Sequence, residues 1–485
     1  MQKINVHKMR IDSSATIRQA MQAISLGCYG AAVVFDSENP AIFQRILTDG
    51  DIRRALLSGH GLEAPVSFIS SGPQVLMKPE HSAEEVSLVF NQRVRLVPIV
   101  DEDSRLIDLW FHDKRVDIAV ASPLFDDDEI ALVNECMISG WVSSGGPFVT
   151  QFEDMVAKQI GIQNAISCSS GTTALHLVLM GYGIGPGDEV IVPSLTFIST
   201  ANAVTYTGAK AVFVDSDPKT WNIDPMKIEA EITERTRAII PVHLYGLPAE
   251  MDLINSIAAR NGLIVIEDAA EAQGAKYKDR PAGMLGDAAI FSFFGNKVIT
   301  TGEGGMVLTN NGDLADRCRL LRDHGMSKER RYWHEVIGYN YRMTNIQAAL
   351  GVAQMKKFDR IICRKKEIAN LYNVHLQDIK GISLPPEIDQ LENVYWLYTV
   401  LIDKNLTGGC GVSDLMIALN DAGVDCRKIF LPIHQQPVYS HGLKLPVAEM
   451  ISSRGISLPS SPQIRDDQIE SICGIIKHRL DPANG

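Results

Sequence analysis

The sequence predicts an α/β protein: a large domain on a mainly parallel sheet, a small C-terminal α+β domain, and an α+β module in front of both. Three observations carry this. From residue 122 onward, short continuous apolar runs alternate with helical stretches, the pattern of strands covered on both faces. A long polar helix over 355–376 then leads to a smaller unit with one marked strand, 395–401. Before residue 117 a helix–strand–strand order occurs twice, about 65 residues apart, which suggests two packed copies of one small unit.

In the first copy a helical pattern over 14–24 leads to a strand at 31–35. A second apolar run, Ile46-Leu47, ends in Thr48-Asp-Gly-Asp51, which opens a helix over 52–57. The second copy has a helical pattern over 82–90 and strands at 96–100 and 106–111, and a polar link over 112–115 closes it. Further strands are expected at 189–192, 211–214, 238–240, 263–266, 288–291 and 306–308. The expected domains are therefore 1–117, 122–355 and 356–485.

Composition narrows the function. A chain of 485 residues suggests two to four domains. With 45% hydrophobic and 21% charged residues it can bury a core and is not a disordered chain. The net charge is −12 and no basic block stands out, which argues against a nucleic-acid partner. No apolar run is long enough to span a bilayer, and the N-terminal residues lack the apolar centre of a signal peptide. The eight cysteines are scattered, with no CxxC pair. That pattern argues against a disulfide framework or a zinc site, so we expect no metal and a cytoplasmic location.

Three segments can carry chemistry. Ser169-Ser-Gly-Thr-Thr-Ala-Leu-His176 places small polar residues before an apolar helix. Open backbone N–H groups and the helix dipole at such a start favour a phosphate. Glu267-Asp268 ends an apolar strand, in the crevice where parallel sheets bind ligands; a helix cap is the plainer reading. Lys297 lies between an aromatic run, Phe291-Ser-Phe-Phe294, and a Gly-rich return strand. Apolar surroundings lower a lysine's pKa and make its amine a nucleophile. A phosphate cradle, a strand-end acid and a desolvated lysine, in that order, are the requirements of a pyridoxal 5'-phosphate site. Phe197 is placed to stack on the cofactor ring or to pack in the core.

These motifs resemble the DegT/DnrJ/EryC1/StrS family of sugar aminotransferases, of the fold-type I pyridoxal phosphate class, over residues 122–485. Gly140-Trp-Val-Ser-Ser144, EDAAEA (267–272), FSFFGNK (291–297), TTGEGGM (300–306), RRYWHEVIGYNYRMTNIQAA (330–349) and HQQPVY (434–439) carry the resemblance. It implies that Lys297 holds the cofactor covalently and then moves protons, and that Asp268 faces the ring nitrogen. It implies that Thr172 and Thr173 bind the phosphate through their backbone, that Ser292 adds a hydroxyl, and that Asn340 reaches the phosphate from the other subunit of a homodimer. Glu271 stands near the cofactor hydroxyl, His434 and Arg331 near the substrate. Arg331 and Arg342 would supply positive charge for anionic substrates or pair on the surface. Within the family, the Trp-Asn-Ile-Asp context (221–224) and FFGNK are most similar to members that aminate C4 of GDP-4-keto-6-deoxymannose, with glutamate as donor. UDP- or dTDP-linked ketosugars and sugar 3-dehydration are alternatives; the dehydratases carry His at the lysine position. The first 117 residues resemble a CBS-domain pair on RILTDGDIRRALL (45–57). That resemblance implies an adenine or guanine nucleotide at Thr48 and Asp51, with a regulatory role, although a plain helix cap accounts for both residues.

Overall fold

A computed structural model of the chain describes residues 6–27, 30–69, 75–80, 96–111, 118–440 and 442–480. The chain divides into two compact units, Met1–Arg115 and Val116–Gly485.

In the first unit, β1 (Arg10–Asp12) runs parallel to β2 (Ala31–Phe35), which pairs antiparallel with β3 (Phe43–Thr48). Helix α1 (Ile17–Gly27) joins β1 to β2, and α2 (Asp49–Leu57) follows β3. The helix expected over 14–24 starts later because Thr16 and Gln19 hydrogen-bond reciprocally as its N-terminal cap. The second copy repeats the scheme: β4 (Leu96–Val100) pairs antiparallel with β5 (Leu106–Phe111), and Met77 bridges in parallel to Ile99. Both hairpins shift register at the end of their first strand, between Val34 and Phe35 and between Ile99 and Val100. The helix expected over 82–90 lies outside the described residues.

The second unit is built on a seven-stranded sheet of β6 (Asn164–Cys168), β7 (Glu189–Pro193), β8 (Lys210–Val214), β9 (Thr236–Ile239), β10 (Ile264–Asp268), β11 (Ala288–Ser292) and β12 (Gly305–Thr309). Their order is β6-β12-β11-β10-β9-β7-β8, and β12 alone runs antiparallel to its neighbours. Alternate residues of one strand enter different cores. Val190 and Val192 of β7 and Ile266 of β10 pack on one face, Ile191 and Val265 on the other, as a sheet covered on both sides requires. The sequence reading did not mark β6. It lies at the sheet edge, where Asn164 and Ser167 interrupt its apolar run.

The long helix expected over 355–376 is two helices, α5 and α6 when counted after α3 (Gly171–Gly181) and α4 (Ser199–Tyr206). They are α5 (Asn345–Lys356) and α6 (Phe358–Leu376), and the chain breaks at Lys357. A second, four-stranded sheet follows, ordered β13 (Ile382–Ser383), β14 (Tyr398–Ile402), β16 (Gly455–Leu458), β15 (Arg427–Lys428). The strand expected from 395 starts only at Tyr398. Tyr395 adopts a left-handed backbone with φ 51°, which turns the chain before the sheet begins. No helix among the described residues is long and apolar enough to cross a membrane.

Candidate active site

A cavity of about 500 Å³ opens beyond the carboxyl ends of the parallel strands. Of the residues singled out in the sequence, Thr172, Phe197, Asp268, Glu271, Ser292 and Lys297 line it.

The cradle is the start of α3. Ser170 is its N-cap, and the Ser170 hydroxyl accepts from the Thr173 N–H at 3.1 Å while the Thr173 hydroxyl accepts from the Ser170 N–H at 3.0 Å. Thr173 is thereby consumed in the cap and does not line the cavity, whereas Gly171 and Thr172 do. First-turn N–H groups have no partner within their helix and suit an anion. Two glycines permit the approach. A Cβ on Gly171 would stand 2.9 Å from that of Ser292, and one on Gly305 would stand 2.2 Å from the Ser170 carbonyl oxygen.

Asp268 and Glu267 are neighbours on β10 and therefore point to opposite faces. Asp268 lines the cavity, and its carboxylate accepts from the Thr200 hydroxyl at 2.7 Å. Burial pushes its carboxyl up from the usual carboxylate range. Glu267 turns into the protein, where it accepts from the N–H groups of Gly283, Leu285 and Gly286 and pairs with His243 at 2.9 Å. The strand-end acid is thus Asp268, and Glu267 is the brace behind it.

The Lys297 side chain is only 11% exposed. Its Nζ lies 3.7 Å from the Trp396 ring centroid and 3.7 Å from Glu271 Oε1. Burial lowers the amine's pKa, and Glu271 and then Asp268 oppose that shift. Burial raises the Glu271 carboxyl to about 7, with Lys297 pulling the other way. Glu271 also accepts from the Tyr245 N–H at 2.8 Å. Tyr245 holds a left-handed backbone, φ 54°, a strain of about 1–3 kcal/mol that persists only where surroundings enforce it. Here its ring stacks on Trp396 and Phe430, and its hydroxyl accepts from the Phe430 N–H.

Trp396, Tyr245, Thr200 and Phe430 escaped the sequence reading. Thr200 lies three residues beyond Phe197, in the first turn of α4, and only the fold brings it to Asp268. Trp396 read as a strand residue, and nothing local announces the turn at Tyr395.

Of the residues expected at this site, Thr173, Arg331, Asn340, Arg342 and His434 do not line the cavity. His434 is buried, with its ring between the Ser194 hydroxyl (2.7 Å) and Glu449 (3.1 Å). Arg331 is exposed and lies over the Tyr332 ring. Asn340 is exposed between Tyr339 and Tyr341, whose rings stack together, and its side chain accepts from Arg342. Arg342 itself pairs with Asp323 at 2.8 Å. In the first unit, Thr48 and Asp51 satisfy each other as a capping box, and Asp51 also pairs with Arg54.

The donor set fits pyridoxal phosphate on its own terms. A carboxylate at Asp268, hydrogen-bonded but without an ion-pair partner among the described residues, is costly to bury and calls for a cationic partner such as a protonated ring nitrogen. A buried amine whose pKa burial lowers faces it across the cavity, and a helix start with open N–H groups lines the same cavity.

Comparison with known proteins agrees with this geometry. The family model described as "DegT/DnrJ/EryC1/StrS aminotransferase family" matches residues 123–477. The GDP-perosamine synthase of Caulobacter vibrioides is 47% identical over 367 residues, 75% of this chain and 98% of that protein. That of Escherichia coli O157:H7 is 45% identical over 357 residues, 73% and 96%. Among solved structures, the aminotransferase TlmJ from Streptoalloteichus hindustanus superposes with a TM-score of 0.72 at 30% identity, covering 76% of this chain and all of that one. The chain belongs to the DegT/DnrJ/EryC1/StrS aminotransferase family and is a pyridoxal phosphate-dependent sugar aminotransferase.

Proposed function

We propose that the enzyme moves an amino group from glutamate to C4 of GDP-4-keto-6-deoxymannose, forming GDP-perosamine. The observation that carries the chemistry is Lys297: a buried amine with a lowered pKa, held between an aromatic face and a carboxyl that titrates near neutrality. The choice of sugar and nucleotide is supported by the likeness to the Caulobacter and Escherichia GDP-perosamine synthases over nearly their whole length.

Pyridoxal phosphate supplies an electron sink that acidifies the carbon bearing the amino group. Asp268 would hold the ring nitrogen protonated, and Thr200 keeps that carboxylate oriented. Gly171, Thr172 and Ser292 would hold the phosphate. With the cofactor bound, Lys297 Nζ would carry the proton from the donor α-carbon to the cofactor's reacting carbon, and in the second half of the cycle from there to the sugar C4. Glu271, 3.7 Å from Lys297 Nζ, sets the electrostatic environment of that amine. Asn340 would complete the phosphate site of a second subunit in a homodimer. The first unit is read as a CBS-like pair that senses a nucleotide, supported by its repeated order and shared bulge.

The test is direct. The purified enzyme is incubated with glutamate and GDP-, UDP- or dTDP-linked 4-ketosugars, and products are read by mass spectrometry. The GDP-linked 4-amino sugar is the expected product; a 3-deoxy sugar, or amination of another nucleotide sugar alone, would reject the assignment.

A further inference from the structure

Both substrates of such an enzyme are anions, and the chain carries a net charge of −12. The cavity must therefore supply positive charge locally, and its deep end does not. There the buried acids Asp268 and Glu271 line it against Lys297, and Lys297 is already engaged with Glu271. Within its own subunit neither expected arginine reaches this cavity: Arg342 pairs with Asp323 and Arg331 lies over Tyr332.

Two other cations border the opening: Arg427 and Lys428, which form β15 at the edge of the small sheet. Both are exposed, and neither makes an ion pair among the described residues. Arg427 lies directly across from Ser457 of β16, and Ser457 also lines the cavity. Three residues on, Phe430 stacks on Tyr245 and lies beside Phe197. The strand is also anchored from its far end: Ile433 N–H donates to the Ser194 carbonyl oxygen, and His434 grips the Ser194 hydroxyl.

We infer that Arg427, with Lys428 beside it, receives the diphosphate of the nucleotide-linked sugar, and that His434 is a positioning residue for this strand. The inference rests on the sugar-nucleotide reading above. Chemistry selects the diphosphate over the donor's α-carboxylate. The α-carboxylate is bonded to the very carbon that reacts at Lys297, so its partner must lie deep. The diphosphate hangs from C1, across the sugar ring from C4, and so emerges at the rim, where these cations are. Two positive charges match a group that carries two negative ones, and the guanidinium fork suits phosphate oxygens.

The experiment uses full-length holoenzyme with Arg427→Ala, Arg427→Lys and Lys428→Ala. Losing a charge-assisted contact should raise KM for the nucleotide ketosugar roughly 10- to 100-fold in Arg427→Ala. Arg427→Lys should recover part of the loss, which a folding defect would not allow. The cofactor spectrum on adding glutamate alone should change at the wild-type rate within about twofold, and calorimetry with inorganic pyrophosphate should show weakened binding in Arg427→Ala. An equal rise in KM for glutamate would assign the cations to the donor and overturn the inference, as would unchanged sugar KM and pyrophosphate affinity. If wild-type enzyme turns over no nucleotide ketosugar, the parent reading fails, and the pyrophosphate titration still judges Arg427.

Discussion

Replacing Glu271 by Gln isolates the electrostatics around the reactive amine. The carboxylate lies 3.7 Å from Lys297 Nζ. Opposite charges about 4 Å apart at an effective dielectric of about 20 attract by about 4 kcal/mol. At about 1.4 kcal/mol per pKa unit, that bounds the effect at about three units. The carboxylate favours the ammonium form, so removing it lowers the amine's pKa further, in the direction burial already pushes. The Gln carbonyl can still accept from the Tyr245 N–H, so the strained Tyr245 backbone need not move. Because the Glu271 carboxyl titrates at about 7, its charge is present only above that pH. The assay is the rate at which apoenzyme takes up pyridoxal phosphate, followed by absorbance from pH 6 to 10, since only the free amine attacks the aldehyde. Above about pH 7 the variant's profile should lie one to three units to the acid side of wild type, and below it the two should converge. An unchanged profile, or one moved to the alkaline side, would refute the coupling.

Four further outcomes follow from the same contacts. Thr200→Val removes the hydroxyl that donates to Asp268 at 2.7 Å and should weaken cofactor affinity about 10- to 100-fold by equilibrium dialysis, as for a lost hydrogen bond to a charged group. Gly305→Ala places a Cβ against the Ser170 carbonyl and should abolish tight phosphate binding while free pyridoxal still reacts; retained affinity for pyridoxal phosphate would count against the cradle. Asn345→Ala strands the Phe148 N–H and the Trp141 carbonyl that the buried amide now serves, so urea unfolding should show a loss of about 1–3 kcal/mol. Titrating ATP, AMP and GDP into the intact enzyme should give binding at the first unit that Asp51→Ala removes, and heat signals equal in both proteins would leave the capping box as the whole role of Asp51.

Much of this was legible in the sequence because it is local. Continuous apolar runs made β7 to β12 legible, the edge strand β8 among them, while β6, whose run Asn164 and Ser167 interrupt, was not. Asp268 and Lys297 were legible because each follows such a run into the same crevice. What escaped depends on distant chain meeting in space. Trp396 covers Lys297 only because Tyr395 turns left-handed, and Arg427 borders the cavity only through its pairing with Ser457. His434 was placed near the substrate from its motif, yet its two ring nitrogens are taken by Ser194 and Glu449. In the first unit the repeat was visible as a spacing, whereas the bulge that repeats with it appears only in the strand register.

The chemistry turns on which amine meets the cofactor aldehyde. Holoenzyme treated with borohydride, digested and mapped by mass spectrometry should carry the phosphopyridoxyl group on Lys297, and Lys297→Ala should carry none and lose its absorbance near the visible edge. A label on a different lysine, or a fully active enzyme lacking this side chain, would contradict it.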